Sequence, residues 1–159
     1  MKRISTFIIS AFAIFISCKQ ASNPDQLINQ KASLPDHFKL SELHQKVITS
    51  FISKKDSTMS ILYGNHEAYN ALDSNVPSSL SGVSATLVTW RQQDDPHWFG
   101  ARIPGDLLAV ETIKAAGTGK NTVLNYQRYT GKQLVKLADT TGRAGRIKFI
   151  MSQQASILP

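Results

Sequence analysis

Cysteine is nearly missing from this chain: Cys18 stands alone among 159 residues. One thiol closes no disulfide within the chain. It builds no thiolate metal site and supplies no Cys-x-x-Cys-His for covalent haem attachment. Carboxylates are also scarce, 11 against 18 lysines and arginines. Their one adjacent pair, Asp94-Asp95, lies in Gln92–Pro96 (QQDDP), where turn chemistry accounts for it better than acid–base work. The four histidines, His37, His44, His66 and His97, form neither a His-x-x-x-His pair nor a His-Glu-x-x-His motif. His37 and His44 are seven apart and could share a helix face, a weak signal for metal. There is no Gly-x-Ser-x-Gly elbow. The run AGTGKNT, Ala116–Thr122, lacks the first glycine and the hydroxyl residue of a phosphate loop and reads as an ordinary glycine loop. The residues therefore name no catalytic group and no metal site.

What is present at the start of the chain concerns address. Lys2 and Arg3 precede an apolar run from Phe7 to Ile16, then Ser17 and Cys18. That is a secretory signal of the bacterial lipoprotein type, in which the cysteine becomes the first mature residue and carries lipid. The apolar run is too short to span a bilayer comfortably. The expectation is an exported protein, held on a bacterial membrane by an acylated Cys18 and facing the periplasm or the cell surface. The lipid bilayer is then its first partner. Removing 1–17 leaves 142 residues, one domain's worth, with 16 basic and 11 acidic side chains. The basic residues are spread along the chain rather than gathered in a stripe, so no nucleic-acid partner is expected.

Three segments follow: a signal over 1–17, a polar tether over 18–36 and a folded domain over 37–159. Within the domain, Val47 to Tyr63 reads as a β-hairpin around Lys54–Ser57. Asn65 is a good N-cap for a short helix, His66 to Leu72. Asp73 to Gly82 is loop, and Val83 to Trp90 is the clearest strand. Trp98 to Ile103 reads as a strand punctuated by Pro104-Gly105, and Leu107 to Lys114 and Val123 to Tyr129 as two more. Lys132 to Leu137 is a helical or irregular turn, and Ile147 to Met151 a last strand. The fold class is α+β: a mainly antiparallel, twisted β-meander with one or two short helices.

The densest unusual segment is WRQQDDPHWFGARIPG, Trp90 to Gly105. A hairpin there would bring Trp90 and Trp98 together, with His97 or Arg102 at the mouth of an aromatic pocket. The Tyr63-Gly64-Asn65 corner would close that pocket against His97-Trp98-Phe99. The ligand-binding candidates are His97, Trp98, Trp90, Tyr63, Asn65, His66 and Arg102.

The run TMSILYGNHEAYNAL, the strand SGVSATLVTW, the segment DPHWFGARIPGDLLAVETIK and the later NTVLNYQRYTG are similar to the cytochrome P-460 family. These are secreted bacterial haem proteins, related to cytochrome c-prime-beta, that handle hydroxylamine or nitric oxide. The resemblance covers Thr58 to Lys114 best. It implies an antiparallel sheet with helices packed at one side and a chain that is often a homodimer. The family's haem-binding Cys-x-x-Cys-His is missing: LADTTGRAGRIKFIMSQQ has neither cysteine nor histidine. The family's haem cross-linking lysine has no clear match either. Covalent c-type haem is excluded and no cofactor is expected. The leading expectation is a haem-less domain that binds a small molecule or assists a redox partner. Two alternatives stand beside it: non-covalent haem held by His97 or His66 for electron transfer or for oxidation of hydroxylamine or nitric oxide, and a structural envelope lipoprotein. Enzyme activity is not the leading expectation.

Overall fold

A computed structural model describes residues 28–73, 79–138 and 141–156. Cys18, the expected signal over 1–17 and the first part of the expected tether lie outside the described residues. Strands β1 (Lys46–Ser53), β2 (Thr58–Gly64), β3 (Ser84–Asp94), β4 (Arg102–Ala116), β5 (Val123–Thr130) and β6 (Val135–Lys136) form one sheet. Its order is the order of the chain, and every neighbouring pair is antiparallel. Helix α1 (His66–Leu72) joins β2 to β3, and α2 (Arg143–Met151) follows β6. The fold is α+β, a β-meander with two short helices. Among the described residues no helix is long and apolar enough to cross a membrane.

Strand alternation gives the sheet two apolar faces. On one face Leu62, Leu87, Ala85, Ile113 and Tyr126 pack with Ala68 and Leu72 of α1 and Ile150 of α2. On the other, Val88, Trp90, Leu107 and Val110 are covered by Leu134 and by Ala32, Leu34, Phe38 and Leu40. Both helices therefore sit on one side. The second side is roofed by the chain before β1, including residues expected in the tether. The Trp90 indole N–H donates to the Ala32 carbonyl at 2.8 Å, and Asn29 Nδ2 donates to the Pro104 carbonyl at 2.6 Å. The folded body thus begins earlier than the expected boundary at Asp36, because Trp90 needs both a cover and an acceptor.

The hairpin around Lys54–Ser57, the helix His66–Leu72 and the strand from residue 123 stand where the sequence places them. Asn65 caps α1 as expected, its Oδ1 accepting from the Ala68 N–H at 3.0 Å. Three expectations are corrected. Ile147–Met151 is helix, not strand: Ile147, Ile150 and Met151 recur at helical spacing and pack on the core. The expected strand Trp98–Ile103 holds only at Arg102 and Ile103, where β4 begins; Trp98–Ala101 is turn. β3 runs on to Asp94, and Asp95 Oδ1 accepts from the His97 and Trp98 N–H groups at 2.8 and 3.3 Å, which curls 95–101 into a turn. Pro104-Gly105 does not break the chain either. β4 runs through it, because β5 pairs β4 only from Ala109 onward and Pro104 lies where β4 has β3 on one side alone. The segment read as a helical or irregular turn, Lys132–Leu137, turns and then adds the two-residue β6.

Candidate functional site

A cavity of about 510 Å³ opens on the helix-bearing face between β1, the middle of the sheet and α2. Its floor follows from register. Leu87, Glu111 and Arg128 are cross-strand partners on β3, β4 and β5, and Ser60, Thr89 and Ala109 form the next row. Ser60 and Thr89 hydroxyls hydrogen-bond to each other at 3.0 Å. Phe51 and Phe149 close one wall, edge to face with centroids 5.8 Å apart.

Glu111 is the central charge, only 1% exposed. Bare burial of a carboxylate would be costly, and here it is fully paired. Arg146 of α2 grips it with two bonds, Nε to Oε1 at 2.9 Å and Nη2 to Oε2 at 2.6 Å. Tyr126 donates its hydroxyl to Oε1 from the core side. Burial, and then the hydrogen bond to Glu111, push the Tyr126 phenol up to about 12, so at neutral pH it is a fixed donor. The same carboxylate raises Arg146 further above its already high value. The Arg146 guanidinium also lies 4.8 Å over the Phe149 ring. This cluster is a rigid, charge-balanced clamp between sheet and helix.

Arg128 differs. Its Nε is shut away from solvent and makes no hydrogen bond, and among the described residues its guanidinium joins no ion pair. It lines the same cavity. Glu111 is taken up by Arg146, so Arg128 is left without an ion-pair partner among the described residues, while Asp56 lines the same cleft.

The candidates named from sequence do not converge. Gly64 pairs with Ala85 at one end of β3, whereas His97 and Trp98 lie beyond Asp94 at the other. Nine residues of strand separate those levels, about 30 Å at the usual rise. The expected pocket between the Tyr63-Gly64-Asn65 corner and His97-Trp98-Phe99 is therefore not formed. Trp90 is core, 6% exposed, and Trp98 is 71% exposed, so they make no common pocket. Tyr63 shares the second apolar cluster with Trp90, and burial raises its phenol. Arg102 pairs with Asp94 at 3.0 Å on the surface. Asn65 and His66 do line a smaller cleft of about 340 Å³, with His44, Lys46 and Tyr69. Asn65 is already spent structurally, accepting from Ala68 and Ser84 N–H groups and donating to the Gly82 carbonyl. His66 Nε2 is 3.1 Å from Asn70 Nδ2. Cys18 lies outside the described residues. Among those residues no three His, Cys, Asp or Glu side chains gather as a metal site.

Sequence reasoning passed over Glu111, Arg128 and Arg146. One signal was available: a glutamate inside LLAVETIK, on the same strand face as Ala109 and Ile113, is a charge where the pattern demands burial. No protein-family model matches this chain, and none of the curated proteins is significantly similar to it.

Proposed function

We propose that this chain is a lipid-anchored cell-envelope protein whose haem-less, cytochrome P-460-like domain binds a small amphipathic anion. The charged start, the short apolar run and Cys18 support the address. The antiparallel meander with both helices on one face supports the domain reading. One observation carries the ligand reading: Arg128 lines a cleft of about 510 Å³ with its guanidinium unpaired and its Nε already stripped of water. A carboxylate would supply the acceptors that Nε and its neighbours lack. Phe51, Ile52, Leu87, Leu108 and Phe149 offer surface for an apolar body.

Binding rather than turnover is the reading. Lining hydroxyls such as Ser53, Thr58, Ser60 and Thr89 have no histidine beside them in the cleft, and Glu111 is locked by Arg146. The described lining also holds no imidazole, thioether or thiolate. A haem in this cleft would therefore lack its usual axial ligands. The redox alternative has no support from these residues.

Octanoate, benzoate and inorganic phosphate, titrated against the full chain by thermal shift and calorimetry, test the reading. Octanoate is expected to raise the melting temperature saturably and phosphate alone to leave it unchanged. Arg128→Gln removes the octanoate response yet melts like wild type without ligand, because its guanidinium holds nothing in the fold. Indifference to all three compounds, or an unchanged octanoate response in Arg128→Gln, refutes the site. Added haemin is expected to give no Soret shift; a shift lost in His66→Ala or His97→Ala restores the haem alternative.

A further inference from the structure

Trp98 and Phe99 stand at the tip of the β3–β4 hairpin, 71% and 109% exposed. The hairpin overhangs the sheet. β2 pairs β3 no further than Arg91, and β5 pairs β4 no further than Ala109. The Asp94–Arg102 pair and the turn over 95–101 project beyond both neighbours. A buried role for these aromatics is therefore ruled out by where they sit. Two adjacent large aromatic side chains on a protruding turn form an exposed apolar patch.

The start of the described chain is fixed at the same end. Asn29 is bonded to Pro104, and Lys132 Nζ donates to the Gln30 carbonyl at 2.7 Å, which ties 29–33 to the base of this hairpin. Cys18 is ten residues before Ile28, a reach of at most about 35 Å. A lipid on Cys18 would thus tether the domain from this end of the sheet. Local charge is nearly balanced: Arg102 is paired with Asp94, and Lys31 and Lys132 lie beside Asp106 along one surface hollow. Anionic headgroups would gain little here. Indole and phenyl rings favour the bilayer interface regardless of headgroup charge.

We propose that Trp98 and Phe99 insert into the interface of the membrane that carries the Cys18 lipid, so that the domain stands on its β3–β4 hairpin. The inference rests on the lipid-anchor reading for its second contact. Ser53, Asp56 and Thr58 rim the large cleft at this same end of the sheet, so the docked domain turns that mouth toward the bilayer.

The test uses the acylated full chain with phosphatidylcholine vesicles whose acyl chains carry bromine near the headgroup. Flotation reads the anchor, and tryptophan quenching reads the tip. Wild type is expected to float and to lose the Trp98 part of its emission. Trp98→Phe is expected to float unquenched, since Trp90 is in the core. Flotation without quenching overturns the docking and leaves the anchor standing. Quenching of a Cys18→Ala chain that no longer stays on washed membranes supports the docking as a contact independent of lipid. Wild type that neither floats nor is quenched overturns both. Trp98 emission that follows protein concentration and ignores vesicles assigns the tip to a second copy and overturns the docking.

Discussion

Replacing Arg146 by methionine should be the most informative single change in the core. It removes both charge-assisted bonds to Glu111, at 2.9 and 2.6 Å, and leaves a carboxylate with 2% side-chain exposure beside one remaining donor, Tyr126. Breaking a buried pair from one side costs about 3–5 kcal/mol. The Arg146 side chain is 37% exposed, and water screens its half of the interaction. Methionine also keeps an apolar stem and a good helix propensity. The expected loss is therefore about 3 kcal/mol, at the lower end of that range. Urea unfolding followed by Trp90 fluorescence, with a constant m-value, measures it. The double change Glu111→Gln with Arg146→Met should recover at least about 1 kcal/mol of this loss, because the uncompensated charge is gone. A single-variant loss below about 1 kcal/mol, with no coupling in the cycle, would show that the pair is not a structural clamp and would refute the reasoning.

Asn65→Ala strips the α1 cap and the bond to Gly82 together, and should cost about 2 kcal/mol; amide exchange should quicken first in α1 and at Ser84. Gly145→Ala should raise the melting temperature, since a methyl there meets nothing within 4 Å and α2 gains about 0.5–1 kcal/mol; an unchanged or lower value would place the helix elsewhere. Gly64→Ala should destabilise, because the new methyl falls 2.8 Å from the Ala68 Cβ and closer still to Ile48; equal stability by thermal melting would contradict that close approach. Tyr126 carries a folded value of about 12 against an ordinary 10.0, so its share of stability is full below pH 10 and falls as pH climbs from 10 to 12; Tyr126→Phe should flatten that alkaline slope in unfolding midpoints.

Much of the sheet was legible because its determinants are local. Alternation over SATLVTW, the turn residues Lys54–Ser57 and the Asn65 cap each act within a few residues, and β1, β2, α1 and β5 stand accordingly. The misreadings lie where distant partners decide. Ile147–Met151 contains β-branched and aromatic residues that suit a strand, yet a slot over Tyr126 and Leu87 accepts it as helix. Pro104 looks like a break until the pairing of β5 with β4 is seen to reach no further than Ala109.

The site was illegible for the same reason. Glu111, Arg128 and Arg146 are separated by 17 and 18 residues along the chain, and none belongs to a motif. Antiparallel register sets Glu111 opposite Arg128, and packing of α2 brings Arg146 onto the same carboxylate. The amino-acid sequence alone determined the lone cysteine, the basic and then apolar start, the absence of a Cys-x-x-Cys-His and the alternating strands, since each is a matter of residue identity or near-neighbour spacing. Tertiary structure alone decided which of the many arginines is paired and which is unpaired, and that Trp90 is core while Trp98 faces outward. Charge pairing and burial depend on which side chains the folded sheet sets side by side, and no spacing along the chain encodes that.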